Sequence, residues 1–352
     1  MNNRISRREL FKGIGLGTIG LGFGVSVFDS IYQYAYATTE EEKHALLMKG
    51  TVNFMGFTAK EITPNNEFYI TSYSSKVPDV SPAAFRLRVE GLVEKPYTLS
   101  LSEIEAMKDK TEFVTLECIG NPVGGDAIGN ALWDGVTLRK IIEKAIPRPG
   151  ISKTVFYAED GYSDSIPYQL SLSEDVFLAF RMNGAALPKE HGHPLRAIVP
   201  GIYGMKNVKW LSKIELVNFD YKGYWERKGW SDEAVMPIRS QILMPMSGKE
   251  IPFGNYVIGG IAFAGRFGVS KVQVSLDDGD TWKDAQMKEP LSKWSWVLWS
   301  YDWNPSKEGK YTIKVRGTDK SGKIQESGSL FARTFPDGDK GIHSVDVRVT
   351  KE

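Results

Sequence analysis

The chain of 352 residues has one cysteine, Cys118, and four histidines. A single thiol allows no internal disulfide, no Cys-x-x-Cys-His haem attachment and no multi-thiolate iron–sulfur site. An excess of one charge is also missing. Lys+Arg 44 against Asp+Glu 43 leaves a net charge of +1, without the basic surplus expected of a nucleic-acid binder. There is no Walker motif, no Gly-x-Gly-x-x-Gly after a strand, no solenoid-length repeat and no low-complexity tract. What is present suits a globular protein: hydrophobic residues make up 41% and aromatics 12%, enough for a large core. The length is about twice the ~150-residue domain norm, which predicts two domains. By count alone, Cys118 is an inert core residue, a metal ligand or a nucleophile.

Ser6-Arg7-Arg8-Glu9-Leu10-Phe11-Lys12 precedes an apolar run from Ile14 to Phe28 and then Ala35-Tyr36-Ala37. A basic region, an apolar region and a small-x-small site predict an export signal over residues 1–37, cleaved after Ala37. The run is too short and glycine-rich to span a bilayer. Its paired arginines resemble the twin-arginine signal, which exports folded proteins to the periplasm or beyond. A cofactor inserted in the cytoplasm can leave the cell by that route.

Residues 38–65 are polar with one helical stretch around Glu40–Lys49, predicting an arm over the first domain. From Glu67 to Asn218 short strands and helices alternate. Phe85–Gly91 has strand alternation, Ser100 or Ser102 caps a helix through Met107, and Leu138–Ala145 has helical spacing. Val114, Leu116 and Cys118 alternate along a strand that ends at Gly120-Asn121-Pro122, so the thiol is expected at a strand exit. After Pro237 the pattern is all β, with strands at Val272–Leu276, Trp294–Trp299 and Lys310–Val315 and turns at 277–280 and Ser321-Gly322. This spacing predicts an immunoglobulin-like sandwich.

Three segments carry chemistry. Cys118-Ile119-Gly120-Asn121 offers a thiol beside a tight turn. His191, Arg196, Lys206 and Lys209 gather hydrogen-bond donors and positive charge of the kind that binds phosphate. His191 and His193 could instead join Cys118 in a three-ligand zinc site of a hydrolase. Asp160 and Asp164 are open to acid–base, metal-ligand or turn-forming roles, with an Asx turn the default.

Taken in order, Cys118-x-Gly120-Asn121, Asn130-Ala131-Leu132-Trp133-x-Gly135, Met182-Asn183-Gly184-x-x-Leu187-Pro188, His191-Gly192-x-Pro194-x-Arg196, Val199-Pro200-Gly201 and Asn207–Leu211 resemble the sulfite oxidase family of molybdopterin-dependent oxidoreductases. The resemblance covers nearly the whole chain beyond the leader. It implies an α+β protein: a mixed α/β molybdopterin-binding domain of sulfite oxidase type at 38–237, then an all-β immunoglobulin-like dimerisation domain at 238–352. It further implies that Cys118 binds molybdenum, one cofactor per chain, beside the pterin dithiolene sulfurs, a soft ligand set suited to the metal. By the same resemblance Tyr69, Thr71, Ser72 and Tyr73 form the first cofactor-contacting loop. Asp160, His191, Arg196, Asn207, Val208 and Lys209 hold the pterin and its phosphate.

Sulfite oxidases surround their substrate oxyanion with arginines and a tyrosine. The corresponding positions here are Thr71, Val123 and Trp230, with one arginine retained as Arg333. Charged hydrogen bonds contribute roughly 1.5–3 kcal/mol each, so this pocket is expected to suit a larger or less anionic molecule than sulfite. The reaction expected is oxygen-atom transfer to a sulfur-type substrate or from an S- or N-oxide, with Cys118, Trp230 and Arg333 at the reacting centre. Sulfite itself is the alternative substrate, and an exported binding protein without catalysis the second alternative. With one cysteine and no fused haem domain, no haem or iron–sulfur cluster is expected. The electron partner is then a separate cytochrome or a membrane quinone module, and the enzyme a homodimer.

Overall fold

The computed structural model describes residues 39–328 and 334–351; the leader expected at 1–37 and Arg333 lie outside the described residues. Thr39 caps a short helix, Glu40–Leu46, through a reciprocal pair with Glu42 at 3.1 and 3.2 Å. The helix lies on the first domain, where Lys43 Nζ donates to Thr111 O (2.7 Å) and His44 meets the buried Asp134 (3.3 Å). The arm then departs from expectation. Its hairpin, Thr51–Phe54 with Phe57–Lys60, packs on the sandwich, because Phe54 and Phe57 bury against Ile261, Phe263 and Leu298. A Cβ on Gly259 would stand 2.3 Å from the Phe57 ring, so glycine is what permits this approach.

The first domain contains two five-stranded sheets. One is antiparallel, ordered Ala185–Ala186, Phe177–Met182, Ile128–Thr137, Lys110–Glu117, with Arg196–Ile198 also paired to Phe177–Met182. The other runs Tyr97–Ser100, Arg86–Gly91, Leu211–Val217, Lys153–Ala158, Ser163–Pro167; only its Arg86–Gly91 and Leu211–Val217 pair is parallel. Leu87, Val89, Val136, Phe156, Leu178 and Ile214 fill the core. Helix Leu138–Lys144 adds Leu138, Ile141 and Ile142, at helical spacing, to the same core. Ser100 caps helix Leu101–Ala106 in a capping box with Glu103, as its sequence predicts.

The last third is a sandwich. One sheet holds Arg239–Met244, Tyr256–Phe263, Val297–Trp303 and Gln286–Met287. The other holds Glu250–Pro252, His343–Thr350, Gly309–Asp319, Val269–Ser275 and Lys283–Asp284. Period-two burial along His343–Thr350 places Val345, Val347 and Val349 on the core beside Trp299 and Ile313.

The strand expected at Trp294–Trp299 begins only at Val297. The residues before it are bound by the first domain. Thr115 N donates to Trp294 O and Trp296 N to Thr115 Oγ1, both at 2.9 Å, and the Trp294 ring joins Phe68, Trp133 and Phe177. The open edge of Lys110–Glu117 thus finds its hydrogen bonds in the sandwich domain.

Candidate active site

Cys118 follows the last residue of strand Lys110–Glu117, at the exit expected from its sequence. Its N–H donates to Ala127 O (3.0 Å) and its carbonyl accepts from Asn121 N (2.9 Å). Asn121 closes the loop: its Oδ1 accepts from Ala127 N (3.0 Å) and its Nδ2 donates to Glu117 Oε1 (3.0 Å). The free thiol borders a cleft of about 230 Å³.

Tyr69, Thr71, Ser72 and Tyr73 line this cleft, as do His191, Arg196, Asn207, Val208 and Lys209, together with Asp160 and Trp230. All ten residues expected at the cofactor are therefore brought together with Cys118. The wall also contains Phe68, Tyr162, Met205 and Trp225, which sequence reasoning did not single out as site residues. Trp225 lies five residues before Trp230 in the same aromatic-rich segment, a signal that could have found it.

Arg196 carries the main electrostatic message. It is 5% exposed, stacks over the Trp133 ring at 5.0 Å, and donates from Nη1 to His191 O and from Nη2 to Asn207 O, both at 3.1 Å. Among the described residues its buried Nε has no hydrogen-bond partner and no carboxylate lies within ion-pair distance. Burial pulls the guanidinium down to about 10. Lys209 donates to Ser72 Oγ (2.7 Å) and Glu190 O (3.0 Å), and burial, then Arg196, push it down to about 7. Burial likewise lowers His191 to about 4, and its Nε2 sits 2.9 Å from Asn65 O, as a neutral N–H donor would. A buried guanidinium with no carboxylate partner, with Lys209 in the same cleft, calls for an anion.

The other residues are mostly shaping groups. Asn207 Oδ1 accepts from Val199 N (2.7 Å) and Nδ2 donates to Ile202 O and Tyr203 O (both 3.1 Å), so its amide folds the loop. Asp160 makes an Asx turn to Tyr162 N (3.0 Å), its backbone carbonyl accepts from Tyr73 Oη (2.6 Å), and burial raises its carboxyl. Burial also drives the Tyr69 hydroxyl far above its usual range. A Cβ on Gly204 would stand 2.7 Å from that hydroxyl, which keeps this side of the cleft open. Trp230 meets Trp225 edge-on at 6.4 Å and Phe335 at 5.2 Å.

Three expectations are corrected. Val123 is not in the cleft: the Asn121-Pro122 turn carries it to a small separate cavity with Glu117, Arg239 and Gly341, where its N–H donates to Asp339 Oδ2 (3.1 Å). Lys206 does not join the anion-binding cations, because Asp164, Glu226 and Asp232 hold it at 2.8, 2.6 and 3.1 Å. The zinc alternative also fails, since His193 does not border the cleft and no group of three His, Cys, Asp or Glu side chains among the described residues could hold a metal. Arg333 lies outside the described residues.

The remaining donor set fits a molybdenum cofactor: a free thiol for a soft metal, and a buried guanidinium with an unused N–H for an anionic tail.

Comparison with known proteins agrees. Residues 74–225 match the oxidoreductase molybdopterin binding domain and residues 232–332 the Mo-co oxidoreductase dimerisation domain. Sulfite oxidase from Gallus gallus is 33% identical over 312 residues, covering 75% of this chain and 68% of that protein. The mitochondrial sulfite oxidase of Rattus norvegicus is 29% identical over 316 residues, covering 76% of this chain but only 58% of its own length. In fold, the chain resembles the sulfane dehydrogenase SoxCD from Paracoccus pantotrophus, with a TM-score of 0.70, 21% identity and 95% coverage of both chains. With Cys118 and the cationic wall in one cleft, and with these matches, the chain belongs to the sulfite oxidase family of molybdopterin oxidoreductases.

Proposed function

We propose that this chain is an exported molybdenum enzyme that moves an oxygen atom to a sulfur-type substrate, or from an S- or N-oxide, bulkier or less anionic than sulfite. The observation that carries the cofactor reading is the buried, acid-free Arg196 in the same cleft as the free Cys118 thiol. Arg196, Lys209 and His191 would hold the anionic part of the cofactor and Cys118 its metal. The bound group supplies two-electron oxygen-atom exchange. Around it, Thr71, Trp225 and Trp230 line the cleft without a charge of their own. That supports a substrate bound by apolar contact and by few charged hydrogen bonds.

In this reading residues 38–237 bind the cofactor and 238–352 form the sandwich through which a homodimer assembles. Arg7-Arg8 directs export through the twin-arginine route. Electrons pass to or from a separate cytochrome or membrane quinone module, since one cysteine provides no built-in thiolate cluster or covalent haem.

The test is metal analysis of protein folded in the cell, followed by a panel of sulfite, thioethers, sulfoxides and N-oxides with artificial electron carriers. Molybdenum near one per chain and turnover of an organic sulfur compound or an oxide are expected. Micromolar half-saturation by sulfite, with no reaction of the others, would favour the second reading, sulfite as substrate, which the 33% identity to a sulfite oxidase supports.

A further inference from the structure

Two indole rings meet at the cleft, and the chain between them is tightly fixed. Trp225 and Trp230 flank the short helix Glu226–Lys228. Lys228 N (2.9 Å) and Trp230 N (3.1 Å) both donate to Trp225 O, and Gly229 N donates to Glu226 O at 2.9 Å. From behind, Glu226 Oε1 accepts from the buried Lys206 at 2.6 Å, so an ion pair pins the turn to the domain core. Gly229 sits at φ +92°, and a Cβ there would stand 3.0 Å from the Phe335 ring. Glycine therefore serves both the chain reversal and the close approach of that ring.

The result is an aromatic corner. Trp225 and Trp230 are half-buried and both line the cleft, with ring centroids 6.4 Å apart and planes at 81°. Each is backed by a further ring: Tyr224 meets Trp225 at 5.0 Å and 86°, and Phe335 meets Trp230 at 5.2 Å and 81°. Rings held this way are ordered before any ligand arrives. A flat aryl group entering the corner stacks on one indole while meeting the other edge-on, the two ring geometries that aromatic pairs favour. A quaternary cation would also suit indole faces, but the acids nearest the corner in sequence, Glu226 and Asp232, are bound to Lys206. Asp160, the one carboxylate among the cleft-lining residues, is engaged with Tyr162 N.

We propose that Trp225 and Trp230 are specificity-determining residues that select a planar aryl substituent on the substrate, an aryl alkyl sulfide or its S-oxide, over a saturated group of equal bulk. This rests on the oxygen-transfer reading and narrows it. The corner grips the part of the substrate that does not react. Its contacts are then alike in the ground and transition states, and they appear in KM more than in kcat. Phe335 is a positioning residue that acts through Trp230.

The experiment uses the loaded protein. Molybdenum content and turnover of sulfides and S-oxides are measured first; absence of the metal or of any such turnover overturns the functional reading. The corner is read separately with inert sulfones, which need no turnover, by titrating indole fluorescence with methyl phenyl sulfone and with cyclohexyl methyl sulfone. Wild type is expected to bind the phenyl compound about tenfold more tightly, as two favourable ring contacts imply. With the matching sulfoxides the same preference should fall in KM. Trp225→Leu and Trp230→Leu should bring the two sulfones to near parity, whereas Trp230→Phe, which keeps a ring, should retain most of the preference. Phe335→Ala, at a half-exposed position, should weaken the preference through KM with kcat little changed. Leucine variants that keep the phenyl preference overturn the proposal. So does a thioether bearing a trimethylammonium group that binds more tightly than its phenyl counterpart, since the corner would then be a cation cage. Equal affinity of wild type for the two sulfones overturns it as well, a measurement that needs no variant to fold.

Discussion

Arg239 of the sandwich grips Glu117, the residue before Cys118, with Nη2 2.8 Å from Oε1 and Nε 3.2 Å from Oε2. The same guanidinium donates to Asn121 O at 3.2 Å, and Gln241 Nε2 donates to Gly124 O at 3.1 Å. The second domain thus holds the cysteine loop from behind. Burial pushes Glu117 up, while Glu117 keeps Arg239 charged; lost hydration offsets much of the attraction between them.

Removing only one partner should be costly. Arg239→Met leaves Glu117 buried beside no cation and is expected to destabilise the protein by about 3–5 kcal/mol in urea unfolding. The double variant Arg239→Met/Glu117→Gln should recover most of that loss. Equal destabilisation in both would show that the ion pair is not the cause.

Cys118→Ser removes the soft ligand and almost no packing volume. The circular dichroism spectrum and melting temperature of the apo protein should be unchanged, while molybdenum per chain and turnover fall to background. Full metal retention would remove Cys118 from the centre.

Arg196→Gln separates binding from stability. Because this guanidinium is buried without a carboxylate, the apo protein should lose little stability or gain some. Cofactor retention should fall roughly tenfold to a hundredfold, from one charged hydrogen bond of about 1.5–3 kcal/mol. Titration of apo protein with released cofactor measures both.

Lys209 predicts an unusual pH dependence. Its folded value of about 7 lies below the unfolded value of about 10.4. Between these the unfolded state binds more protons, so apo stability should rise with pH across that window. Lys209→Met should flatten the rise, and bound cofactor should remove it by keeping the ammonium charged. Melting temperatures of the three forms against pH decide it.

Thr71→Arg returns a cation to the cleft and should tighten sulfite binding by about tenfold or more. Val123→Arg, at a position that faces Gly341 and Asp339 instead, should not. Paired sulfite titrations make the comparison.

Much of this was legible in the sequence, for identifiable reasons. The Ser100–Glu103 cap and the spacing of Leu138, Ile141 and Ile142 are local, so helices Leu101–Ala106 and Leu138–Lys144 emerge where expected. Cys118 at a strand exit follows from the alternation of Val114 and Leu116 and the turn behind it. Lys206 was illegible because its fate depends on Asp164, Glu226 and Asp232, which only the tertiary fold turns toward it. Val123 failed similarly: counting five residues from the cysteine cannot reveal that the Asn121-Pro122 turn reverses the direction of the side chain. The aromatic run near 294–299 has every local mark of a strand, yet Thr115 of the other domain captures its first half.

That capture has a consequence for biosynthesis. The strand leading to Cys118 obtains its outer hydrogen bonds and part of its cover from Trp294 and Trp296, which are synthesised late, after the strands Tyr256–Phe263 and Val269–Ser275. While the ribosome is still making the sandwich, that edge lies bare. The cysteine's scaffold is completed only when most of the polypeptide has emerged, so prematurely terminated chains cannot present a finished cleft. Cofactor capture then reports on chain completion as well as on folding.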